Sequence, residues 1–434
     1  MNRILLCLLA GMLSGLTALA QQPSGETLKM SLEDCIEYAL KGNYNRQSVE
    51  LNESTNLEAY KQSKLELLPS VNASLSEGYS NSKSVPDAWS GNYNLNASVT
   101  LFQGGTIINT IQQNKLKLEQ STYQTTQYDN QLTIKILQAF LTVLGNEELL
   151  KYQSAVVKAS EEQMKQGEEQ FNAGSILESD YLLLKAQYSN DKNNITDTRI
   201  TRDNSLLSLK NLLSIHPDEN LEIIYPDTSA LVKMSALPQM NYVMEQALST
   251  LPDIKISQYN VDIAISSVKL AKSGYYPTLS LSGSIGTGHQ NDYSNFGTQL
   301  SNGFNQQIGL SLSIPIFDKN RTKVKVVQSR IALQKAELNA KQTELDIMQD
   351  VTTEYQDVVS AYNKYQTTDI RQNAYLKTFD AYSIKFNAGA ITAVELLQQQ
   401  NNYISALNDY IQSKYNFMLK RKILDVYMGN PVTM

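Results

Sequence analysis

Residues 171 to 180 read FNAGSILESD, and residues 386 to 395 read FNAGAITAVE. The same opening recurs 215 positions apart, each time within a long polar stretch of helix-forming residues, and it belongs to a duplication of the whole chain. Ala39-Leu40 maps onto Ala247-Leu248, and LELLPSVNAS (65–74) onto SGYYPTLSLS (273–282), at an offset of 208. TLFQGG (100–105) maps onto PIFDKN (315–320) at the offset of the FNAG turns, 215. The difference of seven residues falls between about 75 and 100 of the first copy, a change of loop length inside an otherwise equal unit.

Each unit has one internal order. The first opens at SLED, where Ser31 and Asp34 form an N-terminal capping pair. A helix is expected from Ser31 toward Leu67, stopped by Pro69, with Pro277 doing the same after Tyr275-Tyr276. Past each proline the period changes to two. Val71, Ala73 and Leu75 alternate with Asn72, Ser74 and Ser76, and Tyr93, Leu95, Ala97, Val99 and Leu101 alternate with small polar residues. The second unit repeats this with Leu279, Leu281 and Ile285, then with Ile308, Leu310, Leu312, Ile314 and Ile316. Four strands of about ten residues follow, with Pro315 placed at the inner end of the fourth.

From Phe102 to Phe171, and again from Phe317 to Phe386, 69 residues pass without a proline. The steps of three and four through Leu345, Met348, Thr352, Tyr355, Val359 and Tyr362 match a coiled-coil seam. At about 1.5 Å per residue such a helix spans roughly 100 Å. Gly174 and Gly389 then supply the reversal that a helix pair needs, and the chain returns through a helix from Ser175 to Leu213. The return helix and the opening helix together roughly equal the long one, so the two short helices can stack end to end beside it. Each unit reads as a rod with two strands at one end and a tight turn, FNAG, at the other.

Composition supports an elongated, helix-rich chain: 434 residues hold only 10 prolines and 20 glycines, with 41% apolar residues. Residues 1–20 have the parts of a cleaved secretory signal: Arg3, an apolar run and Ala18-Leu19-Ala20. Cys7 lies too early to be an acylated cysteine, so no lipid anchor is expected. Cys35 is then left alone, as a half-buried core residue, which excludes an internal disulfide and a thiolate metal cluster. His216 in a linker and His289 in a loop lack acidic or cysteine neighbours at ligand spacing. A formal charge of −6 argues against nucleic acid. No phosphate loop, nucleophile elbow or catalytic carboxylate pair is present, so neither enzyme activity nor a cofactor is expected. Beyond the signal no apolar run reaches the roughly 18 to 20 residues of a membrane helix.

Alternating strands of this kind also build soluble sandwiches. Long polar joining loops and aromatics at the strand ends (Tyr79, Trp89, Tyr93, Phe102, Tyr275, Tyr276, Phe304, Phe317) favour a membrane barrel. Four strands cannot close one, and an open edge in lipid leaves backbone groups unpaired. Two chains would give eight strands with an interior filled by side chains, and three would give twelve and a lumen; the helix pairs gathered by such an association continue the barrel as a tube.

SLEDCIEYAL, the helix-ending LLPS and YYPT, the strand-ending VTLFQGG and LSIPIFDKNR, and the two FNAG turns, taken in order, resemble the outer-membrane efflux proteins, the TolC-like factors. The resemblance covers essentially the whole chain after the signal. It implies a fold class that is mainly α with membrane β: a homotrimer with a twelve-stranded barrel in outer-membrane lipid and a long helical tunnel in the periplasm. It implies an exit duct for drugs, small molecules or polypeptide, coupled to an inner-membrane transporter through a periplasmic adaptor protein. In the family, acidic and polar residues just after the second turn close the tip. Glu395 matches the acidic position and Phe386 the aromatic one, while Gln398 and Ile391 depart from the pattern. Asp180 is the counterpart of Glu395 in the first repeat, as Phe171 is of Phe386. Glu395 reads equally as an ordinary solvated helix residue, the glutamates of EEQMKQGEEQ as a solvated face ahead of an adaptor-recognition surface, and Lys319, Arg321, Lys323 and Lys325 as either solubilising or lipid-phosphate contacts.

The expected organisation is a signal peptide at 1–20, a linker at 21–30, the first repeat at 31–216, a linker at 217–238, the second repeat at 239–430 and a tail at 431–434. The rival reading is a trimeric structural or adhesive spacer without transport.

Overall fold

The computed structural model describes residues 27–81, 88–226, 237–290 and 295–432. The signal segment, residues 227–236 of the inter-repeat linker and the last two residues lie outside these. The chain runs β1 (Leu28–Met30), α1 (Leu32–Gly42), α2 (Tyr44–Leu65), β2 (Ser70–Ser80), β3 (Ala88–Gln103), α3 (Thr106–Asn172), α4 (Glu178–Leu213) and β4 (Leu221–Ile223). It continues α5 (Met240–Thr250), α6 (Pro252–Ser273), β5 (Thr278–Gln290), α7 (Phe296–Asn302), β6 (Asn305–Ser313), α8 (Arg321–Asn387) and α9 (Ala393–Tyr427).

The Ser31 cap forms: its hydroxyl accepts the Asp34 N–H at 3.2 Å, and the Asp34 carboxylate accepts the Ser31 N–H at 3.0 Å. The opening helix is not continuous to Leu67. It breaks at Asn43, whose side chain accepts the Arg46 N–H at 2.9 Å and donates to the Leu212 carbonyl at 2.8 Å. Gly42-Asn43 is a stop followed by an N-cap, a signal masked by helical patterning on both sides. In the second repeat the break falls at Leu251, with Pro252 opening the next helix. The break in the first repeat is where α4 ends against α1 and α2: the Tyr44 N–H donates to Ser214 Oγ at 3.3 Å. The 36-residue α4 with the 11- and 22-residue α1 and α2 thus lies along the 67-residue α3.

Other differences have local causes. The return helix starts at Glu178 rather than Ser175, because Gly174 and the residues after it complete the turn. The strands have 11, 16, 13 and 9 residues, and Pro315 falls beyond the fourth. Both linkers contribute strands: Leu28–Met30 pairs in parallel with Leu221–Ile223, a contact between segments too short for a period to show. One strand loop carries the short α7. Cys35 is fully buried rather than half-buried.

Two apolar clusters hold the helices at mid-length. In one, Leu132, Ile136, Phe140 and Leu144 of α3, on one face at four-residue spacing, pack on Leu209 and Leu213 of α4 and on Leu32, Cys35 and Ala39 of α1, closed by Met30, Leu221 and Ile223. The other joins Ile347, Val351 and Val358 of α8 to Val243 and Ala247 of α5 and Phe417 and Leu424 of α9. Each large side chain so buried contributes about 1.5–3 kcal/mol.

Between the repeats, Lys414 of α9 meets Glu148 of α3 at 2.8 and 3.0 Å, and the Tyr415 hydroxyl donates to the same carboxylate at 2.7 Å. Burial, with Glu148 alongside, pushes the Tyr415 hydroxyl well above its ordinary range.

Candidate functional site: the sheet and the hairpin tips

The four long strands form one antiparallel sheet in the order β2-β3-β5-β6, so the repeats meet at β3 and β5 and leave β2 and β6 as free edges. The register sorts side chains by face. Val71 lies opposite Ala97, Ala97 opposite Gly283, and Gly283 opposite Ile308. The next apolar row holds Ala73, Leu95 and Ile285, and rows toward the helices hold Val99, Leu281 and Leu310, then Phe102, Leu279 and Leu312. A bulge between Thr100 and Phe102 sets Phe102 opposite Leu279.

The opposite face carries Asn72, Ser74, Asn94, Asn96, Ser282, Ser284 and Gln307, small and uncharged. The apolar face is uncovered within the chain: Val71 is 62% exposed, Leu75 75% and Ile308 85%. From Leu279 to His289 the strand rises about 33 Å, which at a tilt near 40° gives a band about 25 Å tall. Among the described residues no helix is long and apolar enough to cross a membrane.

The far end of this band holds an arrangement missed in the sequence. Glu77, Gly91 and His289 share one row, and His289 Nε2 lies 3.1 Å from both Glu77 carboxylate oxygens. A Cβ on Gly91 would sit 2.5 Å from each partner, so the bridge crosses β3 over a glycine. His289 is therefore a strand residue with an acidic neighbour, brought near only by strand pairing. Tyr93 also donates to Glu77, and Tyr79 packs on Trp89 with ring centroids 5.4 Å apart.

At the other end the FNAG turns are twins. Gly174 and Gly389 hold φ of 71° and 70°. In each, the glycine N–H donates to the phenylalanine carbonyl at 2.9 Å (Phe171, Phe386), and the next N–H reaches back five residues, to Gln170 at 2.8 Å and Lys385 at 2.9 Å. This is a Schellman closure. Their aromatics diverge. Phe386 is buried with Leu184, Ala393, Leu396 and Leu397, so a residue of the first return helix packs on the second tip. Phe171 is exposed and stacks on Tyr181 at 5.8 Å.

Glu395 caps α9. Its carboxylate accepts the Thr392 N–H at 2.9 Å and hydroxyl at 3.1 Å, while the Thr392 hydroxyl accepts the Glu395 N–H at 3.3 Å. Those bonds hold its carboxyl below the usual range. Gln398 donates to Asn402 at 3.3 Å one turn on. Asp180 holds the equivalent third position of α4, but Leu177 stands where Thr392 does and no side-chain cap forms.

Deeper between the hairpins lies Asp191, buried and unremarked in the sequence because nothing in its polar context distinguishes it. Gln187 donates to one of its oxygens at 2.8 Å and Gln400 of α9 to the other at 3.2 Å. Burial raises its carboxyl above the ordinary value, against the lowering by Ser160, Gln187 and Gln400. The side-chain oxygens of Gln163 and Gln400 are buried without a partner. The glutamates at 161, 162, 168 and 169 and the bases at 319, 321, 323 and 325 lie at the surface.

A family model described as outer membrane efflux protein matches residues 35–214 and 243–430, one segment in each repeat. The chain is similar to outer membrane protein TolC of Escherichia coli, 23% identical over 74% of this chain and 65% of that protein. It is also similar to toxin and drug export protein A of Aggregatibacter actinomycetemcomitans, 26% identical over 52% of this chain and 48% of that protein. The matches therefore span about two-thirds and one-half of those relatives' lengths. Among solved structures, the outer membrane protein VceC of Vibrio cholerae superposes with a TM-score of 0.74 at 13% identity, over 92% of this chain and 96% of that one, a likeness of fold.

Proposed function

The chain belongs to the outer membrane efflux protein family, and on that premise we propose that three copies form a passive exit duct through the outer membrane. Twelve strands close as a barrel, and the helix pairs continue it as a periplasmic tunnel whose tips meet a periplasmic adaptor protein and an inner-membrane transporter. The passengers are drugs, small molecules or polypeptide, moved by energy from that transporter, without catalysis in this chain. Residues 1–20 act as the export signal and are removed, and the repeats at 31–216 and 239–430 are the two staves each chain contributes.

The observation that carries this reading is the sheet: one face largely apolar and uncovered, up to the Glu77–His289 row at its far end, the other small and polar, with free edges at both sides. An even number of antiparallel strands makes β6 run antiparallel to β2 of a following copy, so closure leaves no unpaired edge. Purified protein in a planar bilayer is expected to give stepwise conductance. Stable insertion with no conductance at any voltage would favour a spacer instead.

At the tip, Phe171, Gly174, Phe386 and Gly389 form the turns, and Glu395, Gln398 and Asp180 form the gate. Glu395→Gln keeps the cap, since glutamine also reaches back to the cap residue, while removing charge. It is expected to lower cation selectivity, and unchanged selectivity would remove Glu395 from the gate.

A further inference from the structure

The outer wall of the sheet carries an element that the exit duct leaves unexplained. α7 lies between β5 and β6, and residues 295–307, NFGTQLSNGFNQQ, hold no charge. Asn295 caps the helix, its side chain accepting the Gly297 N–H at 3.4 Å. Steps of three, one and three put Phe296, Gln299, Leu300 and Gly303 on one face, and that face rests on β5. The Thr287 hydroxyl donates to the Leu300 carbonyl at 2.5 Å, and the Gln290 N–H donates to Gln299 Oε1 at 2.8 Å. The Phe296 ring meets the His289 imidazole edge-on, with centroids 4.9 Å apart. A Cβ on Gly303 would lie 3.0 Å from the Gly288 carbonyl, so the backbone closes on the strand there.

The register decides which side of the sheet α7 occupies. Thr287 and His289 alternate in step with Gly283 and Ile285, whose rows form the apolar face. On the polar face, the side chains nearest to a Cβ on Gly286 or Gly288 are those of Asn94, Asn305 and Asn92. α7 is therefore held from the lipid-facing side, while carboxamides occupy the bore side of the same strand. Its height follows from His289, which stands at the limit of the apolar band, at the end away from the long helices. Tyr79, Trp89 and Tyr93 line the same face at this level, as an interfacial girdle does. Phe296 and Phe304 are 52% and 55% exposed, and Gly297, Thr298, Ser301 and Asn302 on the other side of the helix are exposed and uncharged. A helix with aromatics on one flank and small polar groups on the other fits the boundary between headgroups and acyl chains. A partner that reads charge finds none on it. The Glu77–His289 pair faces the same boundary, where a bare charge is costly. Phe296 covers the imidazole, which is only 14% exposed.

We infer that α7 is an interfacial helix seated in the outer-leaflet boundary on the outer wall of the barrel, with Phe296 and Phe304 against lipid, and that this seat keeps it clear of the bore. The inference rests on the sheet being the barrel wall and adds a lipid contact made outside the strands. The occupant of the exposed aromatic flank is lipid because that flank continues the apolar band, which ends just below it, and because the helix is uncharged throughout. Passengers then leave past the Asn and Ser side chains of the polar face, with α7 on the far side of the wall.

The test is tryptophan fluorescence of the full chain in vesicles. Trp89 is the sequence's one tryptophan, so Trp89→Phe gives a dark background on which single tryptophans are placed by Phe296→Trp, Phe304→Trp, Ile308→Trp and Asn96→Trp. The first two keep an aromatic where one stands, Ile308 marks the middle of the apolar face and Asn96 the polar face. Quenchers are phosphatidylcholine brominated near the headgroup, the same lipid brominated near the chain ends, and iodide in the water. Tryptophans at 296 and 304 are expected to be quenched about twofold more by the shallow bromines than by the deep ones, the depth of an interfacial helix, and little by iodide. The one at 308 is expected to answer to the deep bromines and the one at 96 to iodide alone. If 308 answers to bromine while 296 and 304 answer only to iodide, the lipid seat is overturned and the barrel stands. If 296 and 304 answer to neither quencher, a neighbouring copy covers them and the lipid seat is again overturned. If 308 does not answer to bromine either, the barrel wall falls with it.

Discussion

Lys414 and Glu148 offer a measurable handle on how the two repeats are locked together. Their side chains are only 12% and 18% exposed, so the pair is largely out of water. Lys414→Met leaves the Glu148 carboxylate with the Tyr415 hydroxyl as its remaining side-chain donor among those described above, and breaking such a buried pair from one side costs about 3 kcal/mol. Unfolding entropy of about 2.1 cal/mol/K per residue over roughly 400 ordered residues converts this to a drop in melting temperature of about 4 °C. The double variant Glu148→Gln with Lys414→Met removes both charges and keeps an acceptor for Tyr415. Its expected loss is within about 1 kcal/mol of the unaltered chain, since an ion pair replaced on both sides is nearly neutral. Circular dichroism at 222 nm in detergent, run on the four members of the cycle, reads the coupling directly. A single variant that melts within a degree of the parent, or a double variant that loses the sum of the two singles, would refute the reasoning.

Gly389→Ala places a Cβ in open space and is expected to cost only the left-handed backbone strain of about 1 kcal/mol, whereas Gly104→Ala adds a collision with the Ser273 carbonyl and is expected to cost about 3 kcal/mol; equal melting losses would remove the contrast. Asp191 has its folded pKa raised by burial, so its contribution to stability is fully present below its unfolded value and is lost as pH rises through the folded one. Asp191→Asn is therefore expected to flatten the melting temperature between pH 4 and 7 relative to the parent, and an unchanged slope would show that Asp191 does not titrate there. Leu177→Ser gives α4 the cap that Thr392 gives α9, with Asp180 positioned to complete the pair, and is expected to slow amide exchange in the first tip by the equivalent of about 0.5–1 kcal/mol.

The FNAG turns, the capping pair at Ser31 and the four alternating strands were legible because each is local: a glycine at a left-handed turn, a hydroxyl three residues from an acid, a period of two. Long helices without proline were legible for the same reason. The break at Asn43 was not, because its decisive partner is the Leu212 carbonyl, 169 residues away. The strands at Leu28 and Leu221 were equally hidden, since three residues carry no readable period and gain their meaning only by pairing.

At the candidate site the division is sharper. The duplication alone identified the equivalent positions of the two tips, and it carried Glu395 to Asp180 and Phe386 to Phe171. Only the packed chain decided that Phe386 is buried while Phe171 stays at the surface, that the Glu395 carboxylate is engaged by Thr392, and that Asp191 is enclosed between hairpins. Periodicity reports which side of an element avoids water, and it holds for both repeats alike. What each side then touches depends on groups distant in the chain, and the two repeats, though similar in sequence, do not have the same neighbours.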